Sequence, residues 1–355
     1  MRRGAPETFA TLADADASLA TVLAEMLHGD WRAPELSGET FGNFGRRWLD
    51  AGLGRVGAPL APRTRELYEG HWKLWLEPHF GDVALGALTP ERWRSWFVEQ
   101  TSKKPDSTQP GKAYKLARVI LNQAVDDGLI RSNPCHIKGA GRDRSPERPI
   151  ATPGQVANIA GAIEQRYRAM VLLAAYCSLR FGELAGLRRR DIDVLHRTVR
   201  VERQAIELAG GRIEFTKPKA ESMRTVAIPS PLMSALEAHV AAYVGPEPSA
   251  LVFTSANGLP MRRTQFVHTW RRACRRAGVE PIHFHDLRGS GATWAAQTGA
   301  TVAELMQRLG HRTPTVAMQY QHATLERDQA IAARLGDLMQ LESETRSNVL
   351  PLDGH

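Results

Sequence analysis

The sequence predicts a mainly α-helical fold with one small antiparallel β-sheet. Two observations carry that expectation. Apolar residues recur at helical spacing through most of the chain from Phe41 onward. Only two stretches, TVRVERQ and RIEFTKPKAESMRTVAIP, alternate and are rich in β-branched residues, which reads as a small sheet containing a hairpin. A third observation sets the organisation. KGAGRDRSPERP, residues 138–149, mixes Gly, Pro and charge between two apolar regions, as a domain boundary does. The 355 residues suffice for two or three domains.

Taken in order, residues 8–31 read as a strand-like TFAT and a helix, DADASLATVLAEML, closed by Gly29. WRAPELSGET is a linker, so residues 1–40 form a separate leading segment. A helical domain is expected over 41–137. Its helices are FGNFGRRWLDAGL, then TRELYEGHWKLWLEPHFG with Thr64 as N-cap, then TPERWRSWFVEQ with Thr89 as cap and Pro90 in the first turn. A polar loop at 101–112 precedes KAYKLARVILNQAVDDGL. At 100° per residue, Ala117, Ile120, Leu121 and Ala124 of that helix fall within a ~100° arc. Lys112, Lys115 and Arg118 lie almost opposite, on either a solvated face or a phosphate-contacting one, with Lys103 and Lys104 in the loop before them.

A second domain is expected over 150–341. YRAMVLLAAYC and GELAGL open it as helices, and the sheet follows. Helices are then expected at 230–243, 263–276, 285–298, 301–309, 313–321 and 324–341. Ile331, Leu335, Leu338 and Met339 share one face of the last, which packs either on its own chain or on a neighbour. Residues 342–355 are a polar tail.

Composition narrows the function classes. Hydrophobic residues make up 43%, enough for globular cores, and no apolar run approaches the ~18 residues of a membrane span. The N-terminus has no apolar signal region, and Cys135, Cys177 and Cys274 lack zinc or disulfide spacing. A reducing cytoplasm is the expected location. Net charge is +8. Residues 1–40 hold three Arg against seven acids, residues 41–149 hold 18 Lys/Arg against 12, and the rest 25 against 19, so −4, +6 and +6 sum to that +8. A basic body opposed by an acidic leader points to a polyanionic partner, nucleic acid first.

Several chemistries drop out. PGKA around Gly111 lacks the pattern of a phosphate-binding loop, there is no GxSxG, and no HExxH accompanies His283, His285, His311 and His322. Asp191 and Asp193 follow GLRRR where a turn or cap is expected. No metal or cofactor is expected. Four groups remain. Arg180 sits at a turn between two helices, with Glu183 three residues on to orient it. Lys217, Lys219 and Arg224 ride on the expected hairpin. His285 and Arg288 are three apart at a helix start, facing one side. His311 follows Gly310, a fitting residue to end a helix, and Tyr320 lies nine further on.

Singly, each group is more often structural than functional; their order is what is specific. HDLRGSGATWAAQTGATVAELMQRLGHRTPTVAMQYQHAT resembles the signature half of the tyrosine recombinases, the phage-integrase family, and AAYCSLRFGELAGLRRRDID resembles its first Arg box. The resemblance covers roughly residues 41–340. It implies a helical core-binding domain joined to an α/β catalytic domain of the DNA breaking-rejoining fold. Arg180 and Arg288 become the paired arginines, His285 and His311 the histidines, and Tyr320 the nucleophile. PKAESMRTV is similar to the family's lysine turn, which favours Lys219, with Lys217 the alternative.

The implied function is site-specific integration or excision of a phage or mobile element through a 3′-phosphotyrosine, without metal or ATP. The implied partners are double-stranded attachment-site DNA, a homotetramer on that DNA, and an accessory DNA-bending or excision factor; no membrane is involved. A topoisomerase IB-like relaxing enzyme and a non-catalytic DNA-binding regulator are the alternatives. The chemistry suits the residue types. Attack on a phosphodiester builds negative charge on the non-bridging oxygens, and two Arg forks can each bond a phosphate bidentately. A phenol of pKa ~10 costs about 4 kcal/mol to ionise at pH 7, so cations and a histidine acceptor are needed.

Three features depart from the family pattern. Ser178 stands where Gly is usual, Gly289 stands where His or Arg is frequent, and residues 1–40 look like only the last strand and helix of an arm-binding domain. That acidic segment is not expected to bind arm sites strongly.

Overall fold

The structure is a computed structural model that describes residues 9–27, 38–54, 57–141, 148–218, 222–280, 282–311, 313–318 and 320, with 329, 332, 333 and 336. The chain divides into two compact units, Met1–Glu147 and Arg148–His355.

Unit 1 is helical. Before α1 (Leu12–Leu27) the described residues Phe9, Ala10 and Thr11 are irregular rather than the expected strand, and the Thr11 hydroxyl accepts from the Asp14 N–H; Thr8 of that expected strand lies outside the described residues. α2 (Phe41–Ala51) is capped by Thr40, which accepts from the Asn43 N–H, and ends at left-handed Gly52 (φ 61°). α3 spans Pro62–His71, so the expected cap at Thr64 is corrected to Ala61. Pro62 takes the first turn, where a missing N–H costs nothing. α3 runs on through a π-helical turn, Trp72–Leu76, into α4 (Glu77–Phe80). α5 (Pro90–Lys103) starts at its Thr89 cap as expected, but it extends far enough to include Lys103, which the sequence placed in a loop. α6 covers Gln109–Asp126.

The core of unit 1 is aromatic. Phe80 stacks on Trp93 at 4.0 Å, with Phe41, Trp72, Trp96 and Tyr114 around them. Gly45 permits this packing, because a Cβ there would fall 2.1 Å from the Trp72 ring. α6 buries Ala117, Ile120, Leu121 and Ala124, the arc expected from its period, and leaves Lys112, Lys115 and Arg118 outside.

Unit 2 is built around α8 (Gln165–Tyr176), preceded by α7 (Pro153–Ala162) and followed by the short α9 (Phe181–Ala185). Tyr167, Ala169, Met170, Val171, Leu173, Ala174 and Ala175 bury most of its circumference, as a central helix must. Next come β1 (Ile192–Asp193), β2 (Thr198–Val201), β3 (Gln204–Glu207), β4 (Ile213–Thr216) and β5 (Arg224–Ala227). They form two sheets rather than the expected one: a three-stranded β1-β2-β5 and a two-stranded β3-β4, all antiparallel. The hairpin is β3–β4. The segment read as a hairpin, FTKPKAESMRTV, crosses between sheets, because β5 pairs with β2. Period-2 alternation reveals strands but not their partners.

α10 (Ser230–Tyr243), α11 (Arg263–Arg276), α12 (Asp286–Gln297), α13 (Val302–Leu309) and α14 (Pro314–Met318) complete the described elements. α12 lies tight against α8. A Cβ on Gly291 would sit 1.8 Å from the Ala175 carbonyl oxygen, so only glycine fits. α13 has a Thr301–Glu304 capping box and ends at left-handed Gly310 (φ 64°). Of the helix expected at 324–341, only residues 329, 332, 333 and 336 are described, each helical, so its apolar face lies outside the described residues. Among the described residues no helix is long and apolar enough to cross a membrane.

Candidate active site

The site gathers where the start of α9, the start of α12 and the end of α13 meet. Arg180 caps α9, and its backbone N–H donates to Glu183 Oε2 at 2.9 Å. Its guanidinium donates to Glu183 Oε1 at 2.7 Å. Glu183 is buried, while the Arg180 side chain remains 34% exposed, oriented from below and open above. Burial alone would raise the Glu183 pKa. The hydrogen bonds and charge of Arg224, then those of Arg180, outweigh it and hold the carboxyl at about 2.

Arg288 lies one turn into α12 and is 3% exposed. It donates to the carbonyls of Ser178 and Leu309, and through Nη2 to His311 Nε2 at 3.1 Å. Three of a guanidinium's five N–H groups are thus engaged and two remain for a ligand. Desolvation, then the charge of Arg180, lowers the Arg288 pKa to about 9. Ser178, its carbonyl partner, has φ 53°, a left-handed conformation that favours glycine. That accounts for the family's usual Gly at this position.

His311 follows Gly310 and accepts the Arg288 hydrogen bond, so its ring proton is placed on Nδ1, which is buried without a partner. Desolvation, then Arg288, Arg180 and Arg224, lower its pKa to about 4. His285 precedes α12. Crowding by protein, then Arg288, Arg148 and Arg263, lowers its pKa too, although its ring keeps an open edge to solvent. Tyr320 stacks on His311 at 6.4 Å with 20° between the rings. A Cβ on Gly289 would lie 3.9 Å from Tyr320 Cε1. The tyrosine therefore sits beside the arginine cluster of its own chain.

The structure thus brings together Arg180, Glu183, Arg288, His311 and Tyr320, with His285 at the edge. Lys217 is exposed just past β4 and has no hydrogen-bond or ion-pair partner among the described residues; Lys219 lies outside them. Asp191 is a structural group, as its place in a turn suggested: it accepts from the Arg188 N–H at 2.8 Å and pairs with Arg203. No group of three or more His, Cys, Asp or Glu that could hold a metal occurs among the described residues.

Sequence reasoning named Arg224 only as a hairpin residue, without its role, and passed over Asp286. Arg224 pairs bidentately with Glu183, at 3.1 and 2.9 Å. Its signal was strand period: Arg224 shares a face of β5 with buried Val226. Asp286, whose side chain is fully buried, accepts from the His283 N–H at 2.7 Å and from Arg148 at 3.0 Å, fixing the turn that carries His285.

In unit 1, Lys112, Lys115 and Arg118 line one wall of a groove of about 600 Å³, with Tyr68 and His71 opposite. Lys103 instead bonds Glu99 at 2.5 Å, and Lys104 lies 5.6 Å over the Trp75 ring.

Comparison with known proteins decides the family. The phage integrase family model matches residues 151–327. The integrase of Mycobacterium phage L5 is 34% identical over 349 residues, covering 95% of this chain and 92% of the relative. The chain belongs to the phage integrase family. This integrase shares its fold with the Tn1549 transposon integrase, solved in complex with a circular intermediate DNA (TM-score 0.72, 18% identity, 83% of this chain and 99% of that one). It also resembles a lambda integrase tetramer bound to a Holliday junction (TM-score 0.59, 16% identity, 89% and 88%). It is a site-specific recombinase, an enzyme that transfers DNA strands, in preference to a relaxing enzyme or a regulator.

Proposed function

We propose that Tyr320 is the nucleophile of this integrase. Its Oη attacks the scissile phosphate, forms a phosphotyrosine on the 3′ end and releases the 5′ oxygen, which takes a proton to leave as an alcohol. The observation that carries this reading is the packing of Tyr320 on His311 and against the α12 turn that holds Arg288. Arg180 and Arg288 bind the non-bridging oxygens, each with N–H groups free for a ligand. His311, neutral at pH 7, has both ring nitrogens committed and holds Arg288 in place, while His285, also neutral and open to solvent, takes the tyrosine proton. Lys219 donates the proton to the leaving oxygen, with Lys217 the alternative. Rejoining reverses these steps with another 5′-hydroxyl. The bond energy is kept in the phosphotyrosine, so neither metal nor ATP is consumed.

Residues 41–137 serve as the core-binding domain and 150–341 as the catalytic domain. Lys112, Lys115 and Arg118, with Lys103 and Lys104 near them, contact phosphates. The enzyme works as a homotetramer on double-stranded attachment-site DNA, with an accessory DNA-bending or excision factor, in the bacterial cytoplasm where that DNA lies. The fold shared with the DNA-bound integrases supports this assembly.

The test uses a nicked attachment-site duplex in the presence of a chelator. A covalent adduct whose peptide maps to Tyr320 is expected. An adduct on another residue, or a strict metal requirement, would contradict the proposal. Within that assay, Lys219→Ala should lose cleavage while Lys217→Ala retains it.

A further inference from the structure

One buried cation beside the site has no part in the chemistry above. Arg224 opens β5, directly after the segment that carries Lys217 and Lys219. Its side chain is 4% exposed, and protein acceptors engage four of its five N–H groups, one more than in Arg288. Nη1 and Nη2 donate to the two oxygens of Glu183, at 3.1 and 2.9 Å. Nε donates to the Arg308 carbonyl at 2.8 Å, and Nη1 also to the Ser222 carbonyl at 3.1 Å. A Cβ on Gly310 would come within 3.0 Å of Nη1, so the chain entering His311 rests directly on this guanidinium. One side chain therefore touches the carboxylate under Arg180, the last turn of α13 and its own loop.

We infer that Arg224 is a positioning residue for strand cleavage. It sets the spacing between Arg180, held through Glu183, and His311, held through the end of α13, and it anchors the end of the lysine segment. The inference rests on the site reading proposed above and adds to it a group that never touches substrate. Two features of guanidinium chemistry support it. Its fixed fork reaches a carboxylate and two carbonyls at once, which an ammonium on a flexible stem does not. Its charge also offsets Glu183. With one buried carboxylate between two arginines, Arg180 is oriented by Glu183 yet keeps a net positive charge nearby for the phosphate.

Single-turnover cleavage of the nicked duplex, followed from acid to alkaline pH, tests this in Arg224→Gln and Arg224→Lys, with DNA affinity and thermal stability measured alongside. The charged groups facing His311 are Arg288, Arg180, Arg224 and Glu183. Arg224→Gln removes one of the cations that keep His311 neutral. Its cleavage should fall roughly a hundredfold, the effect of misplaced reacting groups. Its acid limb should move to higher pH while DNA affinity holds. Arg224→Lys should keep the wild-type acid limb and recover part of the rate.

An Arg224→Gln enzyme with wild-type rate and pH profile would overturn the inference. So would a loss that only follows the folded fraction, with no shift of the acid limb. An adduct that survives in Tyr320→Phe would instead overturn the site reading beneath it.

Discussion

The two units handle positive charge in opposite ways. In unit 1, Lys112, Lys115 and Arg118 stand exposed on α6, with apolar residues filling the face behind them. In unit 2, Arg224 and Arg288 are almost wholly buried, spending N–H groups on carbonyls, a carboxylate and a histidine, and Arg180 is half-way between. Exposed cations on a helix attract a polyanion over a distance and are screened by salt. Cations fixed in a low-dielectric site act on one phosphate, at the moment its charge grows. On the proposed reading, the exposed set serves DNA binding and the buried set serves the chemistry.

Substitutions should separate the two kinds. The largest effect is expected from Arg288→Met. It orphans the Ser178 and Leu309 carbonyls, each at about 1–3 kcal/mol. It should also slow cleavage by roughly a hundred- to a thousandfold. Thermal unfolding and single-turnover rates would show both losses, with DNA affinity largely kept.

A smaller effect is expected from neutralising Lys112, Lys115 and Arg118 together. Affinity should weaken for every sequence. The slope of log affinity against log salt should fall by about 0.9 per phosphate contact, about 2.7 for three. Tm and the cleavage rate at saturating enzyme should not change. A salt slope equal to that of the wild type would return α6 to the status of a solvated face.

The smallest effect is in stability against pH. His311 titrates near 4 in the folded chain against 6.5 ordinarily. The unfolded chain therefore takes up the proton first, and this group makes stability rise with pH from about 4 to 6.5 and level off above. Glu183 is lowered to about 2 from 4.5, so its stabilisation is complete above about 4.5 and is lost as pH falls toward 2. His311→Gln should reduce the slope of the Tm profile between pH 4 and 6.5, leaving the share that His285 contributes, and keep the loss toward pH 2.

The helices were legible because their signals are local. Thr89 and Pro90 mark a start, Gly310 an end, and the α6 arc its buried side. Most of the site was legible as well, but through the order of Arg180, His285, Arg288, His311 and Tyr320 rather than through any one spacing. What the sequence hid depends on partners far along the chain. β5 pairs with β2 across the segment holding Lys217, and nothing local distinguishes that from a hairpin. Arg224 reads as one of three hairpin cations until its strand is known to face Glu183, 41 residues earlier. Ser178 shows its left-handed backbone only in three dimensions.

The most direct test of the central claim is Tyr320→Phe, assayed for covalent capture of the nicked duplex under denaturing conditions. The account predicts complete loss of the adduct, with salt-sensitive DNA binding and thermal stability retained. An adduct formed at the wild-type rate by Tyr320→Phe would contradict it.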